Sequence, residues 1–111
     1  MTPLEVLKGA RVLIERGWTT RAFARDHHGY QVDPDDANAT CFCMVGALRK
    51  VSDYAGWRCA TPSYLDARDV LARVVEAKSG CYTIPQFNDD FTTTKEAVLD
   101  MFDAAIERTR T

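Results

Sequence analysis

The sequence predicts an all-α fold, a bundle of four main helices and one short helix, and three observations carry that expectation. Apolar residues recur at the i, i+3, i+4 spacing in several segments bounded by capping residues. No convincing run of alternating polar and apolar residues marks a half-buried strand. The chain has 111 residues, of which 46% are hydrophobic and 27% charged, and neither a repeat nor a linker divides it, so one domain over residues 1–111 is expected.

The first helix opens at Thr2-Pro3-Leu4-Glu5, which combines a capping threonine, proline at the first helical position and a glutamate three residues after the cap. Leu7, Ala10, Leu13 and Ile14 form its inner stripe, with Lys8, Arg11 and Glu15 facing out and Gly17 as the stop. Trp18 is expected to fold back onto that stripe. A short second helix, capped by Thr19 or Thr20, is predicted through Arg21–Arg25 and ends at His27, His28 and Gly29. From Gly29 to Thr40 turn formers dominate, which predicts a loop.

Thr40 reads as the cap of the third helix, which places Cys41 and Cys43 in its first turn. Phe42, Met44, Val45, Ala47, Leu48 and Val51 leave almost no polar face there, so this helix is predicted to be central. A connection from Tyr54 to Pro62, containing Gly56 and Trp57, leads to a fourth helix capped by Ser63, with Asp66 in its first turn. Ala67, Val70, Leu71, Val74 and Ala77 are its buried stripe, Asp69 and Arg73 its external pair, and Ser79-Gly80 its end. Cys81–Ile84, closed by Pro85, is the only candidate strand. The last helix starts at a Thr93/Glu96 capping box and buries Val98, Met101, Phe102, Ala105 and Ile106.

Charge and composition narrow the functional classes. A formal net charge of -2 supplies no general excess for holding a nucleic acid. The N-terminal residues carry an early acid and no long apolar run, so a signal peptide or membrane span is not expected, and the chain is read as cytoplasmic with reduced thiols. Nothing in the sequence calls for a cofactor. Homo-oligomerisation is left open.

Two stretches set polar or reactive residues into apolar sequence, Cys41–Leu48 and Asn88-Asp89. A thiol in the first turn of a helix meets backbone N–H groups and the positive end of the helix dipole, which favour a thiolate. Cys43 is thereby a candidate nucleophile, with His27 or His28 as base and Asn88 or Asp89 as orienter. The competing reading makes the cysteines core residues and Gly46 and Ala47 the seat of a close helix approach. Asn88-Asp89 can equally serve structure, Asp89 accepting from the unpaired N–H groups near Cys41–Cys43. Cys41, Cys43, Cys59 and Cys81 match zinc in number, but the C-x-C spacing and two isolated cysteines do not match its ligand pairs, and the acids of residues 33–36 fit no EF-hand register, so no metal is expected. Glu96, Asp100, Asp103 and Glu107 form an acidic stripe that a basic partner could use.

The motifs Cys43-Met44-Val45-Gly46-Ala47-Leu48, Asn88-Asp89, Gly17-Trp18-Thr19 and Val98-Leu99 through Ala105-Ile106 resemble an uncharacterised family of small bacterial and phage domains. That family carries C-x-x-G-A-L and W-N-D segments; here Phe87 stands in the place of the tryptophan. The resemblance implies no activity. It implies that Cys43, Gly46, Asn88 and Asp89 form a shared centre, to which Cys41 is adjacent. The first functional expectation is a small binding module, a host or phage accessory protein with an unidentified protein partner or small ligand. The second is a cysteine enzyme of acyl or thioester transfer using Cys43, and an open cavity lined by Cys43 and Asp89 would raise it above the first.

Overall fold

The computed structural model describes residues 1–52 and 60–110. The predicted connection through Tyr54, Gly56 and Trp57, and Cys59 with it, lies outside the described residues. Five helices are present among them: α1 (Pro3–Arg16), α2 (Met44–Val51), α3 (Pro62–Ser79), α4 (Ile84–Asn88) and α5 (Lys95–Arg110). Three two-residue strands, β1 (Ala24–Arg25), β2 (Gln31–Val32) and β3 (Cys41–Phe42), form an antiparallel sheet in the order β2-β1-β3. The fold is therefore mostly helical rather than purely all-α.

α1 forms for the reasons its sequence announces. Thr2 Oγ1 accepts the Glu5 N–H at 3.2 Å and the Glu5 carboxylate accepts the Thr2 N–H at 2.9 Å, a reciprocal cap with Pro3 at the first helical position. The bond from the Thr2 backbone N–H holds the Glu5 carboxyl below its usual range. Gly17 ends the helix in extended conformation, so its lack of a side chain serves space rather than a left-handed turn: a Cβ would collide with the Thr40 carbonyl oxygen. That closeness lets the 17–19 segment run beside β3, Phe42 N–H donating to Gly17 O and Thr19 N–H to Phe42 O.

The predicted helix at 21–25 is instead the approach to β1, and part of the predicted 29–40 loop is β2. Ala24 pairs with Val32 on one side and Phe42 on the other, and Arg25 with Gln31 and Cys41. The physical reason lies in Arg25, whose guanidinium reaches Thr19 Oγ1, the Gly29 carbonyl and the Thr20 carbonyl and so fixes the turns on either side of β1. Asp26 closes the tight turn that follows by accepting the His28 and Tyr30 N–H groups.

Three other starts are displaced from their predicted caps. Cys43, not Thr40, caps α2, and Cys41 lies in β3. Thr61, with Pro62 following, caps α3 by accepting the Tyr64 N–H, while Ser63 sits inside the first turn and its hydroxyl donates to the Met1 carbonyl. At α5 the Thr94 hydroxyl accepts the Ala97 N–H, and Thr93 turns away to donate to the Phe87 carbonyl. The candidate strand at 81–84 is a turn leading into α4. There Thr83 caps Gln86, Gln86 reaches back to the Tyr82 N–H, and Pro85 occupies a helix start whose N–H would have been unpaired anyway.

The core matches the predicted inner faces of α1 and α5. Leu7, Ala10 and Ile14 are buried, as are Val98, Met101, Phe102, Ala105 and Ile106. In α3, Tyr64, Ala67, Leu71, Val74 and Val75 are buried, so the stripe is rotated away from Val70 and Ala77. Gly80 closes this helix with φ 80, as glycine allows. Asp69 and Arg73 pair at 3.2 Å. α2 touches α1, α3, α4 and β3, while α1 touches α2, α3, α5 and β3, so the two share the centre. No helix among the described residues is long and apolar enough to cross a membrane.

Candidate functional site

α2 begins where β3 ends, and the change of direction is made by Cys43. Its backbone is extended, its N–H donates to the Phe23 carbonyl at 3.1 Å, and its Sγ accepts the Gly46 N–H at 3.2 Å. Gly46 lies flat against the segment before β1: any Cβ there would overlap the Phe23 carbonyl oxygen. The first turn of α2 and the Phe23 backbone are thus locked together without an intervening side chain.

The distant Asn88 completes that helix start. Its Oδ1 accepts the Met44 N–H at 3.0 Å, one of the amides an α-helix leaves unpaired at its beginning, and also the Trp18 indole N–H at 2.9 Å. Its Nδ2 donates to the Thr19 carbonyl at 3.2 Å and to Asp89 Oδ1 at 2.9 Å. With two N–H donors on one side of the amide and two acceptors on the other, its orientation is fixed by its neighbours. Asn88 is 2% exposed, so this complete pairing is what makes its burial tolerable. Asp89 in turn accepts the Arg21 N–H at 2.9 Å, holding Arg21 at φ 63, a left-handed conformation that costs a non-glycine residue about 1 kcal/mol.

A cleft of about 540 Å³ opens beside this network, walled by Phe23, Cys43, Val45, Ile84, Pro85 and Asp89. A second lobe of about 370 Å³ shares Phe23, Val45, Ile84 and Pro85 and ends at Arg49, Arg68 and Tyr82. The Arg49 guanidinium lies 4.3 Å from the centre of the Phe23 ring, and that of Arg68 5.5 Å from the Tyr64 ring.

Every one of these residues falls within 1–108, the span over which the sequence matches a family described only as of unknown function, DUF6197. The chain belongs to DUF6197. No curated protein and no solved structure matches it. The DUF6197 match therefore brings no activity with it, and the site has to be read from its own chemistry.

Cys43 is 9% exposed, and burial, with a smaller contribution from the Asp89 charge, pushes its thiol above the usual range. The N–H groups of Gly46 and Val45 and the charge of Arg49 pull the other way but do not prevail. At neutral pH the sulfur is a neutral thiol that accepts a hydrogen bond. His27 and His28 stand on the exposed turn after β1, their rings 3.9 Å apart, and neither lines the cleft. Cys41 is half-buried on β3 and packs near Gly17, and Cys81 lies at the turn between α3 and α4. Among the described residues no three His, Cys, Asp or Glu side chains are grouped to hold a metal ion.

The structure thus brings Cys43, Gly46, Asn88 and Asp89 into one place and leaves Cys41, His27 and His28 outside the cleft lining. Sequence reasoning missed Phe23, Arg21 and Arg68 as parts of the site. Phe23 carried a usable signal, a large aromatic residue 44% exposed, but only once its segment is seen to be a strand approach rather than a helix. The indole that reaches Asn88 comes from Trp18, while buried Phe87 fills the position next to the amide with apolar packing.

Proposed function

We propose that this chain is a binding module whose site is the two-lobed cleft beside Cys43. The observation that carries the reading is the pairing of an open, mostly apolar cleft with a rigid wall. About 540 Å³ of space lies within the range of small-ligand sites, and the Asn88 network fixes three segments around it. Such a wall reduces the ordering cost of binding. Asp89 and the backbone of Arg21–Phe23 supply the polar rim.

The cleft is also lined by both Cys43 and Asp89, the circumstance expected from the sequence to raise the enzyme reading above the binding one. Against this stand the neutral thiol and the absence of a histidine from the lining, so the binding reading remains first. Backbone amide NMR titration with a mixture of small aromatic and aliphatic fragments tests it. Shifts gathered on Phe23, Val45 and Ile84 are the expected result, and shifts confined to other surfaces overturn it. Rapid alkylation of Cys43 at neutral pH by iodoacetamide would move the enzyme reading to first place.

A further inference from the structure

We propose that the first lobe of the cleft takes a free apolar α-amino acid, its ammonium group at Asp89, its carboxylate at Arg21 and its side chain among Phe23, Val45, Ile84 and Pro85. This rests on the cleft being the binding site and adds the class of ligand. Among the described residues that line this lobe, Asp89 and Arg21 are the two that carry a formal charge at neutral pH. They stand side by side, because Asp89 Oδ1 accepts the Arg21 N–H at 2.9 Å.

The half-buried Asp89 carboxylate is held by one oxygen only. Oδ1 takes both the Arg21 N–H and the Asn88 Nδ2 donor, which fixes the group, while Oδ2 accepts no hydrogen bond from a described residue. The Arg21 side chain is exposed, and its guanidinium makes no ion pair with a described residue, Asp89 included. Opposite charges thus sit together at one end of an apolar trough without neutralising each other. A lone ammonium placed there would meet Arg21 as well as Asp89, and a lone carboxylate would meet Asp89 as well as Arg21. A head group that carries both signs satisfies the two at once, and an apolar body attached to it fills the rest. The space, about 540 Å³, is of small-molecule size.

Four compounds on one phenyl skeleton test this, titrated into the native chain and followed by backbone amide NMR. Phenylalanine carries both charges, phenethylamine lacks the carboxylate, 3-phenylpropanoate lacks the ammonium, and 3-phenylpropan-1-ol is neutral. Leucine is titrated beside them as the branched-alkyl counterpart. Phenylalanine or leucine is expected to bind about tenfold or more tightly than either single ion, since a charge-assisted hydrogen bond is worth at least roughly that factor. Asp89→Asn keeps an oxygen for the Arg21 N–H and removes the charge. It should weaken the amino acid about tenfold without weakening 3-phenylpropanoate. Arg21→Gln should do the same without weakening phenethylamine, and Arg21→Lys should keep part of the affinity. The single ions are the control for a merely structural effect, which would weaken all ligands alike.

Equal affinity for the four phenyl compounds, or an amino-acid affinity unchanged by Arg21→Gln, overturns the zwitterion inference. So does failure of both amino acids to bind. If the neutral alcohol still shifts Phe23, Val45 and Ile84, the cleft reading stands without it; if no compound shifts those residues, both fall. Tighter binding of the tripeptide phenylalanyl-glycyl-glycine than of phenylalanine overturns the assignment to a free amino acid.

Discussion

The side-chain oxygen of Asn88 accepts the Met44 N–H at 3.0 Å across 44 positions of sequence, so that α4 supplies the acceptor that the start of α2 lacks. The same oxygen holds the Trp18 indole and the amide nitrogen holds Thr19 and Asp89, which makes one buried side chain the joint of three segments. Removing it leaves buried donors and an acceptor unpaired, each worth about 1–3 kcal/mol. Asn88→Ala is expected to lower stability by about 3 kcal/mol or more and Trp18→Phe by less, since it strips a single donor. Urea unfolding measures both, and an Asn88→Ala variant as stable as the parent would remove the joint from the account. Asn88→Asp, which sets a carboxylate beside Asp89, should be least damaging at acid pH, where a proton restores the donor.

Gly46 and Gly9 predict unequal costs for the same substitution. A Cβ on Gly46 meets the backbone carbonyl of Phe23, which is held by its bond to the Cys43 N–H and cannot retreat without moving the wall of the cleft. Gly46→Ala should cost about 3 kcal/mol or more. On Gly9 the Cβ meets the methyl groups of Val51, a side chain near the end of α2, and the gain in helix propensity of about 1 kcal/mol offsets part of the crowding. Thermal melts of the two variants should therefore separate by many degrees, and similar melting points would contradict the backbone clash.

The acidic stripe on α5 is a third case. Asp103 accepts Arg11 Nε at 2.5 Å and Arg11 also reaches Glu15 at 2.7 Å, which ties α5 to α1 on an exposed face. Solvent screening limits such a pair to about 1 kcal/mol or less. Arg11→Ala should change the denaturation midpoint slightly, and the small difference should shrink further in half-molar salt. A loss of several kcal/mol would show that the pair does more than the solvated geometry allows.

What the sequence made legible follows the physics of range. The buried faces of α1 and α5 were readable because their apolar residues repeat at a helical period within one segment, and the Thr2/Glu5 cap because its partners are three residues apart. The sheet was not, because two-residue strands leave no period to detect and their pairing sets Ala24 opposite Phe42, far along the chain, while the Arg25 side chain fixes the turns around β1 through three separate partners. Caps shifted by a few residues for a related reason. Thr40, Cys43, Thr61, Ser63, Thr93 and Thr94 are all capable acceptors, and tertiary contacts decide which one is used. For the site, the sulfur-bearing turn and the Asn88-Asp89 pair were visible as polar residues in apolar surroundings. Their division of labour was not, since Asn88 rather than Asp89 serves the start of α2, and that depends on which residue ends α4.

The raised pKa of Cys43 gives the remaining prediction its sign. In the unfolded chain this thiol ionises near its ordinary value of about 8.5, whereas in the folded chain burial keeps it protonated to higher pH. Between those two points the native state holds more protons than the unfolded one, so stability falls as pH rises, with a slope of up to about 1.4 kcal/mol per pH unit from this group. Cys43→Ser replaces the sulfur with a hydroxyl oxygen able to accept the Gly46 N–H at the start of α2, a position serine favours, and removes the titrating group. Lysines and tyrosines titrate in both proteins, so the difference between parent and Cys43→Ser isolates the thiol. The parent should lose more stability between pH 8 and pH 10 than the serine variant does, and Cys43→Ala should show the flatter profile of the variant together with a uniform loss of about 1 kcal/mol from the missing cap. Urea denaturation across that pH range reads all three. Parallel profiles for parent and serine variant would mean that the sulfur is solvated in solution, and the wall beside the cleft would then be open where the structure has it closed.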